Sequence, residues 1–175
     1  MEQILYRQLF ATDYTDYKRV RLSCLMQYPD NFGTTYEEEF DAKYLKLEKA
    51  IEFADNNNFA FGAFSSEGKM IGICGFIAAI GLKKQHRGEI VQLFVETKYA
   101  NQGIGRKLLQ QVISKAFENK QIEQIVLGVV YTNEKAVKLY EQLGFIDYGR
   151  FEKYFKTTTQ YFTQLFLCLT RKSCL

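Results

Sequence analysis

The stretch that most restricts how this chain can fold runs from Glu89 to Gly144, where strand-like and helix-like patterns alternate twice. EIVQLFV has the apolar and β-branched content of a strand, and a glycine-bearing loop, YANQGIG, follows it. Ile104, Leu108, Leu109, Val112, Ile113, Ala116 and Phe117 then recur at helical spacing, which predicts a helix down to Asn119. Ile122 to Val130 is a β-branched run of the kind buried on both faces of a sheet, and Asn133 to Leu143 is a second helix ended by Gly144. Strand, helix, strand, helix in that order implies a parallel pair joined by a right-handed crossover.

The flanking segments supply antiparallel partners. Ile4 to Leu9 reads as a first strand, and DYTDYKRVRLSCLMQYP places Tyr17, Val20, Cys24 and Tyr28 on one helical face before Pro29 ends the helix. The acidic stretch from Tyr36 to Asp55 reads as one or two further helices. FAFGAF and MIGICGFIAAI follow as two strands with SSEGK as hairpin turn, and Phe145 to Phe151 with Tyr161 to Leu169 makes a closing pair.

With 175 residues, 47% of them apolar and 25% charged, the chain suits one compact domain over residues 1–175. Lys and Arg exceed Asp and Glu by only 23 to 20, and no basic run appears, so nucleic acid and membrane surfaces are not expected partners. The start, MEQILYRQLF, lacks the apolar core of a signal peptide, and Met70 to Leu82 falls short of the about 20 residues that span a bilayer. A cytoplasmic protein is the expectation. Cys24, Cys74, Cys168 and Cys174 have no CxxC spacing and His86 is the single histidine, so neither a metal site nor a disulfide framework is expected. A Ser-His-Asp triad would need His86, and no GxSxG motif accompanies it.

Glycines at 103 and 105 before a helix raise the question of phosphate binding. A dinucleotide fingerprint would need glycine at 108, which is leucine, and a P-loop would need Gly-Lys-Ser/Thr where the chain has Gly105-Arg106-Lys107-Leu108. A general mechanism remains: free N–H groups and a positive helix end bind an anion when no side chain blocks approach. The alternative reading of the same residues is a tight strand-to-helix turn.

The neighbours of this loop give it an owner. EIVQLFV, YANQGIGRKLL, IVLGVV and TNEKAVKLYEQLGF, in that order, resemble the GNAT N-acetyltransferase superfamily over about Gly68 to Arg150. The resemblance implies a mixed α/β fold: a mostly antiparallel sheet of about seven strands, containing a parallel splayed pair and flanked by about four helices. It also implies transfer of acetyl from acetyl-CoA to a primary amine by direct attack, with no metal. The acceptor is expected to be a small amine; a protein N-terminus, or a non-catalytic acyl-CoA-binding and sensing domain, are the alternative readings. Family likeness also allows a homodimer. Where the family signature carries Gln or Arg and then often Gly, this chain has Ala100 and Asn101, which removes a side-chain contact to pyrophosphate but leaves backbone donors intact.

Under that resemblance, N–H groups of Asn101, Gln102, Gly103, Ile104, Gly105 and Arg106 cradle the pyrophosphate, with Arg106 adding charge. The backbone of Leu93, Phe94 and Val95 receives the pantetheine arm at a bulge, and the Leu93 amide steadies the acetyl oxygen. Tyr140 matches the general acid that protonates the leaving thiolate, and Asn133, an N-cap by chemistry, matches a further CoA contact. Glu89, sixteen positions before Gly105, matches a general base. An amine of pKa about 10.4 costs about 4.6 kcal/mol to neutralise at pH 7, so a proton acceptor is needed. An ordinary carboxylate is about six units too weak to take that proton directly, so partial burial or a water chain is expected there. Glu37, Glu38 and Glu39 are candidates to hold a cationic acceptor, beside the plainer reading of a solvated helix face.

Overall fold

The computed structural model describes residues 3–53 and 55–171; Cys174 and the first two residues of the opening segment lie outside the described residues. Within these residues seven strands form one sheet: β1 (Leu5–Gln8), β2 (Asn58–Phe64), β3 (Met70–Ala78), β4 (Arg87–Val95), β5 (Gln124–Val130), β6 (Ile146–Lys156) and β7 (Tyr161–Thr170). Their order across the sheet is β1-β2-β3-β4-β5-β7-β6. Among the described residues, five α-helices flank it: α1 (Tyr14–Gln27), α2 (Tyr36–Phe40), α3 (Glu48–Glu52), α4 (Ile104–Glu118) and α5 (Glu134–Gln142). Among the described residues, β4 and β5 run parallel and the other five neighbouring pairs are antiparallel. The mixed sheet expected from the sequence therefore forms, with the parallel crossover at its centre.

Each face of the sheet carries its own core, because successive strand residues point to opposite sides. Leu108, Leu109 and Val112 of α4, all fully buried, pack with Ile90, Ile125 and Leu127 on one face. Tyr17, Val20 and Cys24 of α1 pack with Ile73, Val91 and Phe94 on the other. Burial pushes the Cys24 thiol up to about 12 and raises that of Cys74 as well, leaving both as inert core groups. Among the described residues, no helix is long and apolar enough to cross a membrane.

Two local readings change. Helix α1 stops at Gln27, and Tyr28 turns away at φ −137° to lie exposed instead of joining the buried face. Pro29 explains this, since the residue before a proline is kept out of the helical region. Strand β6 does not stop at Phe151 but continues to Lys156 through an irregularity, because Phe151 pairs Gln164 while Phe155 pairs Phe162. Two extra residues on β6 are absorbed there, with Lys153 at φ +56°.

Candidate active site

β4 and β5 open away from each other. Their pairing covers only Arg87 with Gln124, Gly88 with Ile125 and Glu89 with Val126, after which the strands separate. On the other side of β4, Gln92 and Leu93 stand opposite the single residue Cys74, so β4 bulges where it is no longer held by β5. Gln92 takes the left-handed conformation at φ +58°, which costs a non-glycine residue about 1–2 kcal/mol. The fully buried Tyr17 hydroxyl donates to Gln92 Oε1 at 2.9 Å and holds the bulge in place.

The loop at the head of α4 is shaped by its backbone. Asn101 sits at φ +62° and Gly103, the N-cap, at φ +77°; no side chain caps the helix start. Gly103 is required by that angle. A Cβ at Gly105, by contrast, would meet only Val95 Cγ2 at 3.6 Å, an ordinary contact, so internal packing does not demand glycine there. The bare position instead leaves the first-turn amides open to an anionic group, as acetyl-CoA pyrophosphate would require. Arg106 is hydrogen-bonded to Gln142 Oε1 of α5, which ties the loop to the second helix.

A cleft of about 510 Å³ runs through the opening between β4 and β5. Leu93, Asn133 and Tyr140 line it from the α4 and α5 side, and Glu89 lines it as well. Asn133 caps α5 by accepting from the Ala136 amide at 3.3 Å. Tyr140 is 7% exposed and packs edge-to-face on Phe145. Burial raises its phenol well above the ordinary value, helped by Cys74 nearby, so it keeps its proton. The Glu89 side chain is about half exposed, at 49%, with Lys46 Nζ 3.9 Å away.

The opposite wall comes from segments remote in sequence. Arg21 of α1 is 3% exposed and makes a two-pronged ion pair with Glu39, at 2.7 and 2.9 Å, under the ring of Phe32. Phe155 of β6 rests on Gly33, where any Cβ would collide with its ring, so the loop after α1 and the final hairpin meet at the cleft. Gln92 and Gln164 also line it, and Gln92 Nε2 and Gln164 Oε1 are buried with no hydrogen-bond partner. Each such group costs about 1–3 kcal/mol while unpaired.

The structure thus brings together Glu89, Leu93, Asn133 and Tyr140, with the 101–106 loop at the end of β4. Phe94 faces the α1 core, and Val95 lies against Gly105. Glu37 and Glu38 do not line the cleft: Glu38 is exposed and spent on the N-cap of α2, where it accepts from Thr35 and Thr34. Glu39 is the member of that trio at the wall, and its partner is Arg21. Sequence reasoning passed over Arg21, Gln92 and Gln164. A signal existed for each: Arg21 falls at the buried spacing of Tyr17 and Cys24, and each glutamine is a lone amide inside an apolar strand.

Comparison with known proteins identifies the family. The acetyltransferase (GNAT) family model matches residues 23–145, and the chain belongs to that family. It is 38% identical over 88 residues to N-alpha-acetyltransferase 30 of Saccharomyces cerevisiae, covering 50% of this chain and 49% of that protein. It therefore spans about half the length of that relative. To the spermidine N(1)-acetyltransferase of Vibrio cholerae it is 26% identical over 126 residues, 72% of each chain. A Salmonella typhimurium protein solved with its cofactor acetyl-CoA superposes with a TM-score of 0.79 at 14% identity, covering 96% of this chain and 94% of that one. That likeness speaks to the fold.

Proposed function

We propose that the chain is an acetyl-CoA-dependent N-acetyltransferase acting on a primary amine. The observation that carries this reading is the opening between β4 and β5, which has the Gly103 and Gly105 loop beyond one end and the buried Tyr140 on its wall. Acetyl-CoA, when bound, supplies an activated acyl group and a thiol leaving group. The amides of residues 101–106 hold its pyrophosphate, and the bulged backbone from Leu93 to Val95 takes its pantetheine arm. Leu93, without a strand partner at the bulge, directs its N–H to the acetyl oxygen as that oxygen gains charge. Tyr140 donates its proton to the sulfur, and Glu89, half in water beside Lys46, draws through that water the proton that the acceptor amine sheds. The acetylated nitrogens named for the two relatives support an amine acceptor.

Tyr140→Phe tests the assignment. The variant is expected to turn over about 100-fold more slowly while binding acetyl-CoA within twofold of the wild type. Because burial raises the Tyr140 phenol, the wild-type rate should not fall on the alkaline side below about pH 10 through loss of this proton. An unchanged rate in the phenylalanine variant removes the acid role from Tyr140.

A further inference from the structure

Among the described residues, two buried side-chain atoms lack a hydrogen-bond partner, Gln92 Nε2 and Gln164 Oε1, and both belong to this cleft. Their residues are 9% and 7% exposed. Both also lie a few residues past the last β4–β5 pair. Gln92 lies three positions beyond Glu89, the last residue of β4 paired to β5. The Gln164 amide lies over Gly128, two positions beyond Val126, the partner of Glu89, and a Cβ on Gly128 would strike Gln164 Nε2. Leu165 and Leu167 point to the α4 core, so Gln164 faces the α1 side, where Tyr17 holds Gln92. The two amides therefore flank one stretch of the opening from its acceptor side.

Their chemistry is complementary. The Tyr17 hydroxyl gives its proton to Gln92 Oε1, which leaves Gln92 Nε2 as the free donor. Gln164 offers an acceptor. A ligand that satisfies both needs one hydrogen-bond acceptor and one donor. The protonated nitrogens of a polyamine have only donors, and would leave Gln92 Nε2 buried and unpaired. A carboxylate would look for a cation; Arg21 is already taken by Glu39, and Lys46, the other cation on the cleft, stands beside Glu89. A neutral amide has one group of each kind.

We infer that Gln92 and Gln164 form an acceptor subsite for an α-amino amide, whose carbonyl accepts from Gln92 and whose N–H donates to Gln164. This inference rests on the acetyltransferase reading and names the substrate class of that same site. The chemistry is shared by small amino-acid amides and by peptide N-termini. Such a site discriminates strongly, because an acceptor lacking the amide leaves buried polar groups unpaired.

The test measures CoA release with alanine amide, an alanine-leading tripeptide amide and spermidine, in the wild-type chain and in Gln92→Glu and Gln164→Met. Either amide should exceed spermidine in kcat/KM by about tenfold or more. Gln92→Glu keeps an oxygen for Tyr17 and, ionised, loses the free donor; the buried charge lowers its stability, so a cooperative thermal melt confirms the fold and assays are run at about pH 8–9, where kcat/KM for the amides should drop about tenfold. Acetyl-CoA affinity by calorimetry should stay within twofold in that variant. Gln164→Met should shift the same way, and Gln92→Glu carries the test alone if the methionine variant does not fold. Preference for the tripeptide over alanine amide points to peptide N-termini, and the reverse points to small amides. Equal or better turnover of spermidine, no release with either amide, or unchanged amide kinetics in Gln92→Glu overturns the subsite. Failure of the wild type to bind acetyl-CoA overturns the acetyltransferase reading instead.

Discussion

The two sides of the cleft are built in opposite ways. The proposed cofactor side uses one continuous segment, from Glu89 to Tyr140, and offers mainly backbone: a bulge at Gln92 and Leu93, a loop with Gly103 at φ +77°, and a helix start that no side chain caps. On the proposed acceptor side, the loop after α1, α2 and the final hairpin converge from far apart in sequence, and side chains form the wall. Backbone recognition survives many substitutions, whereas a wall of interlocked side chains changes with each one. One half of such a fold can therefore serve a common cofactor while the other half sets the acceptor.

That contrast can be broken where the acceptor wall is most interlocked. Arg21→Met would leave the Glu39 carboxylate buried and unpaired, and should lower unfolding free energy by about 3–5 kcal/mol in urea titrations. Lys46→Ala, which removes the open pair with Glu89, should cost no more than about 1 kcal/mol. If both variants cost the same, the wall is not held by its buried ion pair. Gly105→Leu sharpens the other half. A Cβ there makes only an ordinary contact with Val95, so stability should hold within about 1 kcal/mol, while acetyl-CoA affinity falls about tenfold or more, the equivalent of about 1.4 kcal/mol. A variant that binds acetyl-CoA normally would place the cofactor elsewhere.

The same division explains what the sequence allowed one to read. The strand, helix, strand, helix order between Glu89 and Gly144 carries its own periodicity, and it delivered the parallel pair, the crossover and the loop close to their observed limits. Local signals misled where a neighbour overrode them. Tyr28 fits the buried face of α1 by spacing, yet Pro29 pulls it out of the helix. β6 runs past Phe151 because a bulge, invisible to period-two counting, carries it to Lys156. The run from Ile122 to Val130 reads as buried on both faces, but Gly128 is exposed where β5 borders the cleft. Glu37 and Glu38 attract notice by charge alone, while the groups that face the cleft, Arg21, Gln92 and Gln164, come together only through tertiary contacts.

The most direct measurement is titration of acetyl-CoA into the purified chain by calorimetry, followed by thiol release when a primary amine is added. One binding site per chain and amine-dependent CoA release are the predicted result. Absence of binding would contradict the account at its root, and binding without release for any primary amine would leave a protein that holds acetyl-CoA but does not transfer its acetyl group.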